Sequence, residues 1–313
     1  MNRPLDQGPY CSIAHVNSTN DHLPTLSALF PALRSAPAHA PAMDVLRERV
    51  NARLDVLVPS LGGDAHRLSQ AMRYSLLAPG KRMRPLMMMV AASDLGGSFE
   101  VALDPACAIE MIHTDSLIMD DLPAMDNALM RRGQPTTHRR FGEATAMLAS
   151  VALLNGAFGV IAKAPGIDRL TRLKLVNLLV DAVGVQGLVA GQDDDLNLPA
   201  DSRCPEALEG LNYQKTGVLF VACLEGAARI AGLGDTRLVP LRDCGRHLGL
   251  AFQIADDLLD NSACAATTGK DVGKDLCKLT LVRTLGGDAA HQRLANHVQC
   301  ALAALALGRG GGL

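Results

Sequence analysis

The sequence predicts an all-α protein, and three observations carry that prediction. Alanine and leucine are abundant, aromatic residues make up 3% of the chain and tryptophan is absent, a balance that favours helices over β-sandwiches. Apolar residues recur every three or four positions from Met43 onward, as in MDVLRERVNARLDVLV, which is typical of helices with one buried face. No series of short alternating runs rich in Val, Ile and Thr indicates a sheet.

Segments rich in glycine and proline divide the chain into intervals that fit helices of about 12–25 residues. We find no repeat of fixed period. We predict one helical domain over residues 43–305, a loosely ordered leader over residues 1–42 and a flexible glycine-rich tail over residues 306–313. The dividing segments are SLGGD (60–64), APGKRMRP (78–85), DLGGS (94–98), APG (164–166) and RCP (203–205).

The composition narrows the class of protein. Hydrophobic residues make up 48% and charged residues 20%, as in a folded globular protein. The formal net charge of −2 gives no broad basic field, so we expect no nucleic-acid partner. None of the eight cysteines forms a CxxC pair. We therefore interpret them as small buried side chains in a reducing compartment rather than as a disulfide framework.

The longest apolar run is MLASVALLNGAFGVIA (147–162). It contains serine, asparagine and two glycines, and it is shorter than the roughly 20 apolar residues that a membrane span needs. The first 42 residues lack the pattern of a secretory signal. We therefore expect a buried core helix, no stable membrane span and a cytoplasmic protein.

The stretch SLIMDDLPAMDNALMRRG (116–133) places concentrated negative charge after an apolar run, followed by two arginines. If EMIHTDSLIMDD is helical, His113 and Asp120 lie two turns apart on one face. Pro123 then ends the helix, so Asp126 returns from a loop. Such carboxylates could bind a hard cation such as Mg²⁺ or simply form a solvated helix end. The acidic residues are Asp120, Asp121 and Asp126, and the basic ones are Arg131 and Arg132.

A second acidic cluster, QIADDLLD, places Gln253, Asp256 and Asp260 at positions i, i+3 and i+7, on one stripe of a helix, with Asp257 beside them. The stripe lacks the interspersed Lys or Arg of an ordinary surface helix. Aspartate is costly to bury unless it is paired or bound to a metal. Two such clusters after apolar helices predict opposing walls of one cavity.

Cationic and polar residues accompany both acidic clusters. Each is typical of a solvated surface when taken alone, but guanidinium forks bind pyrophosphate bidentately and lysines act on it as point charges. Together they predict a site for more than one diphosphate and several divalent ions. They are Lys81 and Arg84 on one face of a helix start in GKRMRP, Lys215 and Thr216 in YQKTGVLF, and Lys270, Lys274 and Lys278 in TGKDVGKDLCKLT.

Taken in order over roughly residues 45–287, these motifs resemble the trans-polyprenyl diphosphate synthase family. The matching segments are GKRMRP, EMIHTDSLIMDDLPAMDNALMRRGQPTTH, FGEA, GLVAGQDDDL, KTGVLF, FQIADDLLD and GKDVGKD…KLT. The resemblance implies the isoprenoid synthase fold, a single-domain bundle of about ten or more helices around a central cavity. LASVALLNGAFGVIA and LVAGQ are most similar to bacterial geranylgeranyl diphosphate synthases.

The resemblance also implies a role for each matching position, with three Mg²⁺ ions in each active site. For the metal it implies Asp120, Asp126 and Asp256 as ligands, Asp260 as a direct or water-mediated ligand, and Asp121 and Asp257 in support. For the allylic diphosphate it implies Arg131, Lys215, Thr216, Gln253 and Lys270. For isopentenyl diphosphate it implies Lys81, Arg84, His113 and Arg132. Lys278 falls near the family's closing loop, and Gln192 and Asp195 fill its GQxxD positions.

The implied reaction elongates an allylic diphosphate (dimethylallyl, geranyl or farnesyl) with isopentenyl diphosphate to give geranylgeranyl diphosphate by 1′-4 condensation. Magnesium ions and cationic side chains stabilise the departing pyrophosphate. The alkene of isopentenyl diphosphate then attacks the allylic cation, and a proton is lost. Five positions before Asp120, where a bulky ring in the family closes the tunnel at fifteen carbons, this chain has Asp115. We expect Asp115 and the adjacent Ser116 to set product length.

Three alternatives remain open at this stage. The first is a farnesyl diphosphate synthase. The second is a terpene cyclase or head-to-head synthase, which needs no isopentenyl site, so GKRMRP and Arg132 argue against it. The third is a non-catalytic subunit of a heteromeric synthase, which typically lacks one acidic motif, whereas both are intact here. The resemblance further implies a homodimer.

Overall fold

The sequence of helices confirms the predicted all-α class. The computed structural model describes residues 43–58, 66–197, 199, 204–262 and 280–309, and only the backbone of residues 260–262. The predicted leader and the three lysines of TGKDVGKDLCKLT lie outside the described residues, as does the side chain of Asp260. Within the described ranges, the one sheet is a two-stranded hairpin.

The helices are numbered in chain order. They are α1 (Met43–Leu57), α2 (Arg67–Leu76), α3 (Met83–Asp94), α4 (Phe99–Asp120), α5 (Thr137–Phe141), α6 (Glu143–Lys163), α7 (Arg169–Val183), α8 (Leu188–Asn197), α9 (Pro205–Asn212), α10 (Val218–Ile230), α11 (Leu238–Ser262), α12 (Leu281–Leu285) and α13 (Gly287–Gly308). A π-helical turn (Tyr213–Gly217) precedes α10, and a 3₁₀ turn (Asp235–Arg237) precedes α11. The hairpin pairs β1 (Met130–Arg131) with β2 (Gln134–Pro135) in antiparallel register.

Helix α4 is the central element. Its N-cap Ser98 accepts a hydrogen bond from the backbone of Glu100, and it ends at Asp120, before Pro123, as predicted. Most of its residues are buried, because α1, α2, α3, α6 and α10 all pack against it. Such all-round burial suits a helix whose apolar residues are not confined to one stripe.

Helix α10 packs against both α4 and α11, which are the helices that carry the two acidic motifs. The π-helical turn before α10 packs against α8 and α11. There the chain comes very close to α11, and a Cβ built on Gly249 would lie 2.4 Å from the Cα atom of Gly217. Glycine is therefore required at this crossing, which brings the turn beside the second acidic motif.

Helix α6 is only partly the core helix that the sequence predicted. Met147, Leu148 and Val151 are exposed by 44%, 60% and 62%, whereas Leu153 on the opposite face is buried. The prediction of a buried core helix is wrong for this face, because the helices that pack against α6, namely α2, α4, α5 and α7, leave it uncovered.

Among the residues that the structure describes, two stretches are long and apolar enough to cross a membrane by length and composition, namely Glu143–Lys163 and Arg169–Asn197. The first is α6, which packs against four other helices of the bundle. The second contains both α7 and α8, and the chain turns between them at residues 184–187. These stretches are weak grounds for a membrane span.

The predicted flexible tail begins too early. Helix α13 extends to Gly308, so residues 306–308 belong to the bundle. The Arg237 side chain donates hydrogen bonds to the carbonyl oxygen of Gly308 at 3.1 and 3.0 Å, and Arg309 forms an ion pair with Asp94. The hydrogen bonds from Arg237 satisfy a carbonyl group at the helix end that lacks a partner within the helix.

Candidate active site

The first acidic motif lies at the carboxyl end of α4. The backbone N–H of Asp126 donates to the carbonyl oxygen of Asp120 at 3.0 Å. The chain therefore reverses after Pro123 and returns Asp126 towards Asp120, as the sequence predicted. Asp120 and Asp126 are half-buried, whereas Asp121 is buried.

The carboxylate of Asp120 lies among three polar or cationic side chains. Gln192 of α8 donates from Nε2 to its Oδ1 at 2.5 Å. Arg131 of the hairpin lies with Nη2 3.5 Å from Oδ2, and Lys215 of the π-helical turn lies with Nζ 4.0 Å from Oδ1. Three separate elements thus fix the orientation of this carboxylate.

Asp121 is the buried residue of the first acidic motif and contacts Arg131. Its Oδ1 accepts a hydrogen bond from Arg131 Nε at 2.7 Å. Burial raises the pKa of Asp121 to about 6, and the charge of Arg131 opposes that rise. Because Arg131 contacts both aspartates, it couples the half-buried carboxylate of Asp120 to the buried one of Asp121.

The π-helical turn forms hydrogen bonds to α8 and to the second acidic motif on α11. Lys215 Nζ donates to Asp195 Oδ2 at 2.6 Å. Thr216 Oγ1 donates to Gln253 Oε1 at 2.9 Å, and Gln253 Nε2 donates to Asp257 Oδ1 at 2.9 Å. A π-helical turn often marks a functional site, and here it presents a lysine and a threonine next to α11.

The second acidic motif lies on α11, where Asp256 and Asp257 are half-buried. Asp256 lies close enough to Arg84 of α3 to act on its charge, so the second motif lies near this arginine of the GKRMRP segment. In the part of the chain that the structure describes, no three acidic, histidine or cysteine side chains converge tightly enough to bind a metal by themselves. Carboxylates of this kind fit Mg²⁺, which commonly takes one or two protein carboxylates and completes its shell with water and phosphate oxygens.

A cationic pocket surrounds Arg84. Its Nη1 donates to His113 Nε2 at 3.3 Å, and its guanidinium lies 5.1 Å from the ring centre of Phe220 and 5.8 Å from that of Phe252. Burial, followed by the charges of Arg84 and Arg132, holds the pKa of His113 well below its usual value. His113 is therefore neutral, and its Nε2 is the acceptor.

Two arginines of this pocket have buried nitrogen atoms without hydrogen-bond partners among the described residues. These atoms are Arg84 Nε and Arg132 Nη1. Burial also lowers the pKa of both guanidinium groups. Buried donors normally have partners, so these two nitrogen atoms could donate to the acceptor oxygens of a bound molecule.

Lys81 lies outside the helix that was predicted to carry it together with Arg84. Helix α3 begins only at Met83, because Arg82 adopts a left-handed backbone conformation with φ of 51°. Lys81 is exposed in the preceding loop, whereas Arg84 is buried. The two residues therefore do not share a helical face.

Asp115, which we predicted to determine product length, forms a buried polar contact. Asp115 of α4 is 7% exposed and accepts a hydrogen bond from Ser150 of α6. Burial raises the pKa of Asp115 to about 6. Ser116 bonds within its own helix, donating to the carbonyl oxygen of His113 at 2.8 Å.

The sequence interpretation missed four residues of the site. Arg82 and Glu110 form a buried ion pair at 2.7 Å, and Phe220 and Phe252 flank Arg84. All four lie within the motifs already noted. A single buried ion pair leaves no repeating pattern in the sequence. The sequence therefore did not distinguish Arg82 from the arginines that face the pocket.

This bundle is the fold of the isoprenoid synthases. The crystal structure of a geranyltransferase from Helicobacter pylori, complexed with magnesium and isoprenyl diphosphate, matches 86% of this chain and 94% of its own at a TM-score of 0.76 and 30% identity. Residues 65–298 match the polyprenyl synthetase family, and the chain belongs to that family of prenyltransferases.

Curated relatives agree with this assignment. A geranylgeranyl diphosphate synthase from Pseudescherichia vulneris is 47% identical over 261 residues, which are 83% of this chain and 84% of the relative. A farnesyl diphosphate synthase from Geobacillus stearothermophilus is 41% identical over 259 residues, 82% of this chain and 87% of the relative. The two relatives are named for products of different length. The residues that limit chain length therefore decide which product this chain would make.

Proposed function

We propose that the protein is a geranylgeranyl diphosphate synthase that condenses isopentenyl diphosphate with allylic diphosphates. One observation carries the proposal. The carboxylate of Asp120, fixed by Gln192, Arg131 and Lys215, belongs to the same bundle as buried arginine nitrogens that lack partners in the described part of the chain. The similarity to a geranylgeranyl diphosphate synthase supports the twenty-carbon product.

The acidic motifs would bind Mg²⁺, which supplies neutralising charge to the departing diphosphate. Asp120 and Asp126 of the first motif and Asp256 and Asp260 of the second are the proposed ligands, with three ions in each site. The magnesium in the Helicobacter pylori geranyltransferase structure supports this choice of metal. The hydrogen bond from Gln192 to Asp120 fits the usual support that a ligating carboxylate receives from a second residue.

The cationic residues then divide between the two substrates. Arg131, Lys215, Thr216, Gln253 and Lys270 bind the allylic diphosphate and stabilise charge on the leaving group. Isopentenyl diphosphate is bound by Lys81, Arg84, His113 and Arg132, and the resemblance to the family assigns Lys278 to the neighbourhood of its closing loop. Fixing both diphosphates places the alkene beside the allylic carbon, and the released pyrophosphate takes up the proton.

A second copy of the chain would cover the apolar face of α6. The exposed residues of that face, together with Leu170, Leu173 and Val180 of α7, form an unusually apolar surface for a monomer in water. We propose a homodimer on this ground and, separately from it, a cytoplasmic location. Sedimentation equilibrium at micromolar concentration should give the dimer mass, and Val151→Lys should shift it towards the monomer. A monomeric wild type would contradict the proposal.

Product length decides between the geranylgeranyl and farnesyl alternatives. The purified protein is incubated with Mg²⁺, labelled isopentenyl diphosphate and either geranyl or farnesyl diphosphate, and the products are sized after dephosphorylation. We expect twenty-carbon product from both primers. Product that stops at fifteen carbons from geranyl diphosphate, with farnesyl diphosphate unused, would identify a farnesyl diphosphate synthase. No elongation without an added partner protein would identify a non-catalytic subunit.

A further inference from the structure

The carboxylate of Glu110 lies between Arg82 and Arg132. Glu110 is 2% exposed on α4. Arg82 Nη1 donates to its Oε1 at 2.7 Å, and Arg132 Nη2 lies 3.9 Å from the same oxygen. Both guanidinium groups therefore face the same carboxylate oxygen of Glu110.

Arg82 uses its hydrogen-bond donors inside the protein. Its Nε donates to Asn51 Oδ1 at 2.8 Å, and its Nη2 donates to the carbonyl oxygens of Leu76 and Ala78 at 2.8 and 3.0 Å. The Arg82 side chain is only 1% exposed. It therefore fixes the loop before α3 to α1 and α4 and is not placed to bind a substrate.

Arg132 is oriented by two neighbours. Its guanidinium lies against Gly80, where an added Cβ would come within 3.2 Å of Arg132 Cζ. Its Nη2 edge faces Glu110, whereas its buried Nη1 has no hydrogen-bond partner among the described residues. One edge of the guanidinium is thus directed by the protein, and the other is left with an unsatisfied donor.

We propose that Glu110 is a positioning residue for isopentenyl diphosphate. Through Arg82 it fixes the GKRMRP loop, and through Arg132 Nη2 it aims Nη1 at a diphosphate oxygen. This inference rests on the proposed function, in which Arg132 belongs to the isopentenyl site. It adds a residue that touches no substrate but determines how well that substrate binds.

Simple electrostatics makes the opposite prediction. Replacing Glu110 with neutral glutamine makes the pocket more positive, so charge alone would strengthen the binding of a diphosphate. If Glu110 acts by positioning, the same change weakens binding, because Arg132 loses the group that orients it. The direction of the change therefore separates the two explanations.

The test compares Glu110→Gln with the wild type in steady-state kinetics and in calorimetric titration with isopentenyl diphosphate. We expect KM and Kd for isopentenyl diphosphate to rise about 10- to 100-fold, since small misplacements at a binding site have effects of this size. KM for farnesyl diphosphate should stay within about twofold. Unchanged or tighter binding of isopentenyl diphosphate would overturn the inference.

Glu225→Gln is the matched control. Glu225 is 3% exposed on α10 and also binds two arginines, Arg229 and Arg242, but these are not residues of the proposed site. This variant should lower Tm and leave KM for isopentenyl diphosphate unchanged. An equal rise in KM for both variants would show a general effect of losing a buried carboxylate and would overturn the inference.

Gly80→Ala provides a second variant if Glu110→Gln fails to fold. The added methyl group displaces the Arg132 guanidinium without removing a buried charge, and a smaller rise in Kd for isopentenyl diphosphate is expected. Unchanged Kd in this variant would overturn the inference. A wild type that binds isopentenyl diphosphate but never elongates a primer would contradict the proposed function alone, whereas one that does not bind it would contradict both.

Discussion

Gln192 donates a hydrogen bond to Asp120, with 2.5 Å between Nε2 and Oδ1. The two residues lie on α8 and α4 and are separated by 72 positions in the chain. The amide leaves the second carboxylate oxygen, Oδ2, to the weaker contact with Arg131 at 3.5 Å. A carboxylate that is oriented in this way loses less conformational freedom when it binds a cation.

Gln192→Ala should weaken the response to magnesium. Loss of a residue that supports a metal ligand typically costs 10- to 100-fold in metal affinity, so the Mg²⁺ concentration for half-maximal activity should rise at least about tenfold. A magnesium titration of the initial rate measures this change. Gln186→Ala, in the exposed turn before α8, is the control and should match the wild type. An unchanged titration for Gln192→Ala would contradict the role given to the hydrogen bond.

Asp120→Ala and Asp256→Ala should each lower kcat by orders of magnitude, because each removes a proposed magnesium ligand from one wall of the site. Both residues are half-buried rather than part of the core, so the far-UV helical signal should be retained. Single-turnover assays with labelled isopentenyl diphosphate measure the loss.

Asp288→Ala is the control for these two substitutions. Asp288 is an exposed carboxylate in the first turn of α13, and its removal should leave kcat unchanged. Near-normal turnover in Asp120→Ala or Asp256→Ala would remove that residue from the metal site.

Asp115→Asn should stabilise the protein at neutral pH. Burial raises the pKa of Asp115 from 3.8 to about 6, so the native state binds more protons than the unfolded state between these values. Wild-type stability relative to the variant therefore falls as pH rises through this window and is lowest above about pH 6. The asparagine can still accept the hydrogen bond from Ser150. The variant should gain on the order of 2–3 kcal/mol at pH 7.5 and almost nothing at pH 3.5.

Urea denaturation of wild type and Asp115→Asn at the two pH values measures this difference. Asp121 also has a pKa raised to about 6, but it is present in both proteins and cancels in the comparison. An equal difference in unfolding free energy at both pH values would show that Asp115 does not titrate in this window.

Asp115→Phe should shorten the product. A phenylalanine ring at position 115 is larger than the carboxylate of Asp115, which accepts a hydrogen bond from Ser150. A growing hydrocarbon chain should therefore be blocked at a shorter length. We expect the product from geranyl diphosphate to shift from twenty towards fifteen carbons. Asp115→Ala, which removes the polar group without adding bulk, should not shorten the product. A twenty-carbon product from Asp115→Phe would place the length limit elsewhere.

The sequence predicted what depends on local pattern. Helical periodicity and Pro123 predicted the end of α4 and the return of Asp126, because both follow from bonds between near neighbours. The left-handed Arg82 was not predicted, since its conformation depends on Asn51 and Glu110 at distant positions. The exposed apolar face of α6 was missed for a related reason. An apolar run indicates burial but does not reveal whether the same chain or another molecule covers it.

Transfer of label from isopentenyl diphosphate to farnesyl diphosphate tests the central claim most directly. The purified wild-type protein is incubated with both substrates, with Mg²⁺ or with excess chelator, and the dephosphorylated product is separated by chain length. We predict a labelled twenty-carbon alcohol that forms only when Mg²⁺ is present. A folded protein that transfers no label with Mg²⁺, or transfers it equally with the chelator, would contradict the claim.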